Sequence, residues 1–251
     1  MSVAKSAAFE HILCVNIHLT QLEFVVVNRS SKKVADIQKY QLDSFDQESL
    51  SEKLSHAFRE WEFDAFCATI GQSRNTLVPV ELFNHSKAAD IFKLNFSEPH
   101  ENLDYNRIPE LGITNIYEVP LWMKSQLIRN FPRIKMVHPV TVLLKGIFDA
   151  PTFKPKMHLY IDDQSFYFFI TEQSKLQYYN QFDYTNLADM VYHILFVLEQ
   201  KEYDQENIVL HLYGKNENWE TLPELQKFFK NQIKIEAKFE HFLSIKQLLC
   251  V

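Results

Sequence analysis

The sequence predicts an α/β protein built from two linked units in which the same order of strands and helices occurs twice. Each half begins with three short strand-like segments, and an amphipathic helical segment follows them. An apolar strand and a further helix come later in each half, so the repeat is one of order and not of identity. A mixed sheet with an antiparallel meander at one edge and helices on its faces satisfies this order. We expect units of residues 1–150 and 151–251, joined by the segment "DAPTFKPK".

The first half begins with the predicted meander "HILCVNIHLTQLEFVVVNRSSKKVADIQKYQL", which divides at Thr20–Gln21 and at Arg29–Ser31. The next segment, "SFDQESLSEKLSHAFREWEF", is predicted to be a helix with Ser44 or Asp46 as its N-cap. Its apolar face comprises Leu50, Leu54, Ala57, Phe58 and Trp61. The continuous apolar character of "DAFCATIG" then predicts a buried strand.

Residues 72–120 are expected to form an inserted segment of helix and loop. The stretch "PVELFNHSKAADIFKLNF" is predicted to be helical after Pro79, and a polar loop is predicted around Ser97–Arg107 before the strand "NIYEVP". Helix "PLWMKSQLIRNF", strand "RIKMVHP" and helix "VTVLLKGIF" then complete the first unit.

The second half repeats this order after the linker. Three strands are predicted from Met157 to Asn180, and a helix from about Thr185 to Gln200 with Asn186 or Thr185 as its cap. The strand "NIVLHLYG" follows, and Thr221–Glu224 has the form of a capping box that opens the helix "LPELQKFFKNQ". The strand "IKIEAKF" and the helix "HFLSIKQLL" end the second unit.

Length and composition indicate an ordinary soluble domain pair. The 251 residues are 46% hydrophobic and 23% charged, and no apolar run approaches the roughly 20 residues that span a bilayer. The N-terminal residues lack the apolar core and cleavage site of a signal peptide. The three widely spaced cysteines, Cys14, Cys67 and Cys250, do not indicate a disulfide framework. We therefore expect a cytoplasmic protein.

Glycine is the most informative residue count, since only four occur where average usage gives about 18. Folds that hold phosphates with backbone N–H groups need glycine where the backbone approaches the ligand closely. Neighbouring glycines in this chain are more than thirty residues apart. This spacing excludes both a P-loop and a dinucleotide-binding fingerprint.

A basic segment runs from Leu121 to Lys156, although the net charge of the chain is −6. It has one acidic residue, Asp149, and seven basic residues: Lys124, Arg129, Arg133, Lys135, Lys145, Lys154 and Lys156. Such a segment indicates either an ordinary solvated face or a surface for an anionic or protein partner. The acidic net charge argues against a dedicated nucleic-acid binder.

The duplicated order resembles the actin-like fold, which is a duplicated ribonuclease H-like fold. The segments "QYYNQFDYTNLADMVYHILFVLEQ", "NIVLHLYGKNENWETLPEL" and "RIKMVHPVTVLLKGIF" further resemble a bacterial family known as domain of unknown function 3822. The resemblance covers essentially the whole chain. It implies an actin-like fold and assigns no activity.

The resemblance also implies where a nucleotide would lie. Actin-like ATPases hold phosphates with two Asp-x-Gly turns and support the adenosine with a late glycine pair. By order along the chain these positions are Asn16-Ile17-His18, Asp162-Asp163-Gln164 and Gly214-Lys215, of which only Asp162 and Gly214 match. Asn16 is a poorer Mg²⁺ ligand than aspartate, and His18 and Gln164 place side chains where the phosphate needs bare backbone. We expect a vestigial nucleotide cleft, no bound cofactor and no metal.

Other residue patterns give weaker indications. Asp162 and Asp163 are either a general acid/base pair or ordinary turn residues, and we expect them to be turn residues. His158 and His211 lie in apolar strands and are expected to be hydrogen-bonded core residues.

The function expected from these observations is a non-catalytic module that binds another protein. Candidate surfaces are the edge of the first meander and the basic residues Lys124, Arg129, Arg133 and Lys135. The alternatives are an ATPase or kinase with atypical phosphate loops, and a nucleic-acid-associated protein that uses the basic segment.

Overall fold

The computed structural model describes residues 10–18, 20–55, 58, 61–71, 74–148, 153–162, 165–214, 222–229, 233–235 and 241–251. The chain divides into two compact units, one of residues 1–146 with 243–251 and one of residues 147–242. Each unit contains one five-stranded mixed sheet. The prediction of two equivalent mixed sheets is therefore confirmed.

The first unit is built on a sheet in which an antiparallel meander continues into parallel strands. Its strands in chain order are β1 (His11–Ile17), β2 (Gln21–Asn28), β3 (Lys33–Gln41), β4 (Ala65–Ile70), β5 (Asn75–Pro79), β6 (Leu103–Ile108), β7 (Ile113–Glu118) and β8 (Lys135–Val137). Its helices are α1 (Gln47–Leu54), α2 (Ala88–Lys93), α3 (Leu121–Asn130) and α4 (Pro139–Ile147). The main sheet has the order β3-β2-β1-β4-β8, and β1 and β2 are buried on both faces because their residues are apolar on both faces.

The inserted segment forms a separate three-stranded antiparallel sheet of order β5-β7-β6. The predicted strand "NIYEVP" is confirmed as β7, but the prediction of helix and loop is wrong for β5 and β6. β6 lies in the predicted polar loop, and its half-buried polar residues give little strand signal by themselves. Pairing with β7 from Leu103 to Ile108, and packing of Leu103 and Tyr105 beside Phe92 of α2, fix it as a strand. This is tertiary context overriding local preference.

The second unit repeats the topology of the first. Its elements are β9 (Lys156–Ile161), β10 (Ser165–Glu172), β11 (Lys175–Asp183), α5 (Leu187–Gln200), β12 (Val209–Gly214), α6 (Leu222–Phe229) and β13 (Ile233–Ile235). The sheet order β11-β10-β9-β12-β13 matches β3-β2-β1-β4-β8 strand for strand. Both meanders also have an irregularity at the corresponding place, after Val26 in β2 and after Ile170 in β10. The duplication thus extends to local register.

The helices begin where the capping residues predict. The Asp46 carboxylate accepts a hydrogen bond from Ser49 N at 2.9 Å, and the Asn186 side chain accepts from Asp189 N at 3.0 Å. α1 ends at Leu54, earlier than predicted, with Ser55 as its C-cap. The capping residue Thr221 lies outside the described residues. None of the helices in the described part of the chain is long and apolar enough to cross a membrane.

The C-terminal segment belongs to the first unit, which corrects its expected place in the unit 151–251. Helix α7 (Phe242–Lys246) and the 3₁₀ turn Gln247–Cys250 contain it. Leu248 and Val251 pack against the apolar residues of β1 and β2, and Lys145 Nζ donates to Leu249 O at 3.1 Å. Residues 243–251 therefore complete the core of a unit whose other residues precede position 147.

Candidate functional site

Asn16 lies one residue before the end of β1, where the resemblance places a metal-holding residue. Its side chain is buried, at 2% exposure. Nδ2 donates to Glu23 Oε2 at 3.0 Å and to Ser244 Oγ at 2.8 Å. Oδ1 accepts from Thr69 Oγ1 at 2.7 Å and from Gln247 Nε2 at 2.5 Å. A carboxamide has two donor hydrogens and two acceptor lone pairs, so all of its hydrogen-bonding capacity is used within the first unit.

The network follows from strand register. Lys39, Glu23, Asn16 and Thr69 are successive cross-strand partners on β3, β2, β1 and β4. Glu23 is buried, and Lys39 Nζ lies 3.4 Å from its Oε1. A buried carboxylate needs such hydrogen-bonded and charged partners. The network therefore compensates a buried charge and attaches the C-terminal segment to the sheet.

His18 closes the turn between β1 and β2, where the resemblance expects a glycine. Its backbone N donates to Gln21 O at 2.8 Å. Gly71, which follows β4, donates to Ile17 O at 2.8 Å, and a Cβ on Gly71 would lie 3.5 Å from His18 Nδ1. The imidazole thus lies beside this glycine at the ends of the neighbouring strands β1 and β4.

Asp162 occupies the corresponding turn of the second unit. Its backbone N donates to Ser165 O at 2.9 Å, the same bond that His18 makes to Gln21. Hairpin position therefore equates Asp162 with His18, two residues beyond the Asn16 to which motif order assigns it. The Asp162 side chain is 6% exposed. Asp163 and Gln164 lie outside the described residues.

Gly214 ends β12 and is the cross-strand partner of Ile161, the last residue of β9. Its φ is 130°, and a Cβ there would lie 2.8 Å from Ile161 O. The structure thus brings Asp162 and Gly214 to the same end of two neighbouring strands. Ile17 and Gly71 lie together in the same way at the ends of β1 and β4 in the first unit. Packing against β9 is enough to require glycine at position 214.

The first-unit turn offers little to a metal–phosphate complex. Asn16 is neutral and fully hydrogen-bonded, and the nearby carboxylate of Glu23 is buried in the same network. Among the described residues there is no group of three or more histidine, cysteine, aspartate or glutamate side chains arranged to hold a metal. In the second unit Asp162 keeps a carboxylate at the turn.

His158 is a hydrogen-bonded core residue, as predicted. Its Nδ1 lies 2.9 Å from Tyr213 Oη and its Nε2 lies 2.9 Å from Thr171 Oγ1. The ring stacks on His211 with centroids 5.2 Å apart. Burial, followed by the neighbouring His211 and Lys156, lowers the pKa of His158 well below its usual value. The ring is therefore neutral in the folded protein near pH 7.

We expect His158 to make the protein less stable in mild acid. The unfolded chain takes up a proton on this residue near pH 6.5 while the folded chain does not, so the free energy of unfolding falls as pH drops below about 6.5. One proton accounts for up to about 1.4 kcal/mol per pH unit. Urea unfolding from pH 7.5 to 5 measures this slope, and His158→Gln should reduce it where His85→Gln, an exposed control, does not. Equal slopes for wild type and His158→Gln would contradict the assignment.

Five of the seven basic residues of the segment fall into two groups. Lys124 Nζ lies 2.7 Å from Asp104 Oδ2, and Lys145 Nζ lies 3.5 Å from Glu110 Oε1. Arg129, Arg133 and Lys135 are exposed, and within the described ranges none of them has an acidic partner within 4.0 Å. Lys124 is thus satisfied within its unit, whereas the other three cations face solvent.

The structure brings the three cysteines into one region of the first unit, which their spacing does not predict. Cys14 and Cys67 are cross-strand partners on β1 and β4, and Cys250 lies near enough to raise the pKa of both. Burial is the main cause that raises the pKa of all three thiols, to about 11 for Cys250. The cysteines are free, and protonated thiols are poor nucleophiles.

Comparisons with known proteins agree with this fold. A model of the family described as protein of unknown function (DUF3822) matches residues 4–232. A solved structure from Bacteroides thetaiotaomicron, described as a protein with actin-like ATPase fold and unknown function, is 20% identical, with a TM-score of 0.84 and 100% coverage of both chains. No curated protein matches the sequence.

More distant structures share the fold at about 10% identity or less. The PilM-PilN type IV pilus biogenesis complex has 10% identity and a TM-score of 0.55, and covers 95% of this chain and 98% of that one. The ethanolamine utilization protein EutJ from Carboxydothermus hydrogenoformans has 8% identity and a TM-score of 0.54, and covers 95% and 89%. These neighbours and the two equivalent sheets confirm the predicted duplicated ribonuclease H-like, actin-like fold.

Proposed function

We propose that this chain, which belongs to the DUF3822 family of proteins of unknown function, is a non-catalytic module that binds another protein. Its actin-like body serves as a scaffold, and its nucleotide cleft is vestigial. Three free cysteines support a place in the bacterial cytoplasm.

The observation that carries this proposal is the first-unit turn: the Asn16 side chain is saturated, and His18, which hairpin position equates with Asp162, has no side-chain oxygen to hold Mg²⁺. A metal-dependent phosphoryl transfer needs an oxygen ligand that is free to hold the ion or its waters. Asn16 instead uses both donor hydrogens and both acceptor positions on Glu23, Ser244, Thr69 and Gln247. Releasing it for a metal would leave the Glu23 carboxylate buried with one partner fewer, which is costly.

The kind of partner follows from precedent and from exposed surface. One structural neighbour, PilM, is seen in a complex with PilN, so this fold can support a protein complex. In this chain β3 is an edge strand of the main sheet, and an extended segment can add to such an edge through backbone hydrogen bonds. The basic residues Arg129, Arg133 and Lys135 are a second candidate surface.

The proposal predicts that the full chain neither binds nor hydrolyses MgATP. Calorimetry at millimolar nucleotide should show no saturable heat, and phosphate release should equal the protein-free rate. Micromolar binding that Asp162→Asn abolishes would overturn the proposal in favour of an ATPase or kinase. The observation that favours this alternative is the retention of Asp162 and Gly214 at the ends of β9 and β12.

The partner surface is tested by photocrosslinking in native lysate. A photoreactive residue at exposed Ala35 on β3 should capture one stoichiometric protein, and the same residue at exposed Ser97 should not. Capture of nucleic acid instead, lost on reversing Arg129, Arg133 and Lys135 and at raised salt, would support the nucleic-acid alternative and contradict the module.

A further inference from the structure

We infer that the exposed surface of α3 binds a second copy of this chain, through the exposed surface of α5 of that copy. This inference goes beyond the proposed function, which leaves the occupant of the basic surface open. It stands on two patches of opposite charge, each with large apolar side chains in solvent.

The first patch, here called the basic surface, lies on α3, the turn after it and the first residue of β8. It comprises Leu121, Ser125, Ile128, Arg129, Arg133 and Lys135. The two apolar members are 62% and 51% exposed, and the helix positions recur at intervals of three and four, so they share one helical face. Ser125 lies between them and donates its hydroxyl to Leu121 O at 2.9 Å, which leaves a small, satisfied side chain between two aliphatic ones.

Charge on this surface has one sign. Residues 121–135 contain no aspartate or glutamate. The neighbouring Lys124 is neutralised by Asp104, so the uncompensated charge is that of Arg129, Arg133 and Lys135. An occupant must therefore supply carboxylates together with apolar side chains, and arginine binds carboxylates in bidentate geometry.

The second patch, here called the acidic surface, lies on α5 and the turn after it. It comprises Tyr192, Phe196, Glu199, Glu202 and Asp204, all exposed. The two aromatic rings are 61% and 43% exposed and stack on each other with centroids 5.9 Å apart. Lys201, the one cation among residues 196–206, lies over the Tyr178 ring with Nζ 5.5 Å from its centroid.

The two surfaces complement each other in composition and size. One presents aliphatic side chains and three cations, and the other presents aromatic side chains and three carboxylates. The helices are about 15 Å and about 21 Å long, so one covers most of the other. Both surfaces are exposed within the single chain, so the complement of each is available on another molecule. Complementary charge beside an apolar centre is typical of specific protein interfaces.

The contact has the size of a weak interface. Two helix faces bury roughly 1,000 Å² in total, at the lower limit for specific association. We therefore expect self-association in the micromolar range, weakened about tenfold or more between 50 and 500 mM NaCl because exposed charges are screened over that range. A closed pair and a longer chain of copies both satisfy the inference and differ in measured mass.

Charge reversal in two variants tests the contact. By sedimentation velocity from 1 to 200 µM, R129E/R133E/K135E alone and E199K/E202K alone should remain monomeric. Mixed in equal amounts they should associate again, because the reversed surface of each then faces its complement on the other. The matched control K33E/K87E/K93E reverses three exposed lysines outside the basic surface. It changes the net charge as much as R129E/R133E/K135E does, and it should self-associate as the wild type does.

Two further variants separate binding from folding. Arg133 and Glu202 both have left-handed φ, 63° and 58°. Glycine is favoured in that conformation, so Arg133→Gly and Glu202→Gly remove a charge without loss of stability. Each should weaken self-association about threefold or more. A wild-type chain that stays monomeric at 200 µM in 50 mM NaCl, or a mixture of reversed variants that fails to associate, would overturn the inference. Neither result bears on MgATP binding, which tests the proposed function.

Discussion

Replacing Asn16 with aspartate is expected to destabilise the first unit by about 3 kcal/mol at pH 8 and to create no magnesium site. The substitution restores the residue type that the resemblance places at a metal-binding turn, with almost no change of shape. It also removes both Nδ2 donors, so the introduced carboxylate lies about 3 Å from Glu23 Oε2 in place of a hydrogen-bond donor. Two buried carboxylates at that distance cannot both be ionised without a large penalty.

The penalty depends on pH with a definite sign. Repulsion raises the folded-state pKa of the carboxylate pair above the unfolded values of about 4. The part of the loss that comes from repulsion is therefore absent below about pH 4, grows as pH rises, and is complete above the raised folded-state pKa. Chemical denaturation at pH 4.5 and pH 8 measures the difference, with exposed Asn180→Asp as the control.

A magnesium titration of the same variant tests whether position 16 has an internal structural role or marks an accessible metal site. If Asn16 marked an accessible metal site, Asn16→Asp would bind Mg²⁺ and be stabilised by it. Saturable binding near millimolar Mg²⁺ would contradict the internal role that we assign to this residue. We expect neither heat nor stabilisation, because Thr69, Ser244 and Gln247 enclose the position.

Sequence patterns predict this fold well where a signal is local. Alternating and continuous apolar segments predict the strands of both main sheets, and side-chain caps predict where α1 and α5 begin. β5 and β6 escape prediction because their identity as strands depends on pairing with β7, which supplies the partner for both. The burial of Leu103 and Tyr105 appears only once that sheet exists.

The candidate site is less predictable because its contacts are distant in sequence. Ser244 and Gln247 reach Asn16 across more than 220 residues, and nothing near either segment indicates the other. Motif order likewise pairs Asn16 with Asp162, whereas equivalent hairpin bonds pair His18 with Asp162. Without its glycines the motif does not show in the sequence which residues of the two turns are equivalent. Only the hydrogen bonds of the turns in the structure show this.

Replacing Gly214 with alanine is expected to lower the free energy of unfolding of the second unit by about 3 kcal/mol or more. Its φ of 130° is a conformation that residues with a Cβ rarely adopt, and the added carbon would lie 2.8 Å from Ile161 O. That oxygen belongs to the backbone of β9, which is paired on both sides, so it has little freedom to move. Parallel pairing of β9 with β12 must therefore open at its end.

A second glycine separates conformational strain from contact. Gly112 has a left-handed φ of 64° but no atom within 4 Å of a Cβ built on it. Gly112→Ala should cost only about 1 kcal/mol, the ordinary penalty for alanine in that conformation. Urea unfolding of both variants without nucleotide measures the difference.

A loss at Gly214→Ala no larger than that at Gly112→Ala would show that position 214 tolerates a side chain. Glycine there would then be explained by close approach of a ligand, and the vestigial cleft would have to be reconsidered. A loss several times larger, present in the absence of any nucleotide, means that packing of β12 on β9 alone accounts for the glycine that the resemblance assigns to adenosine.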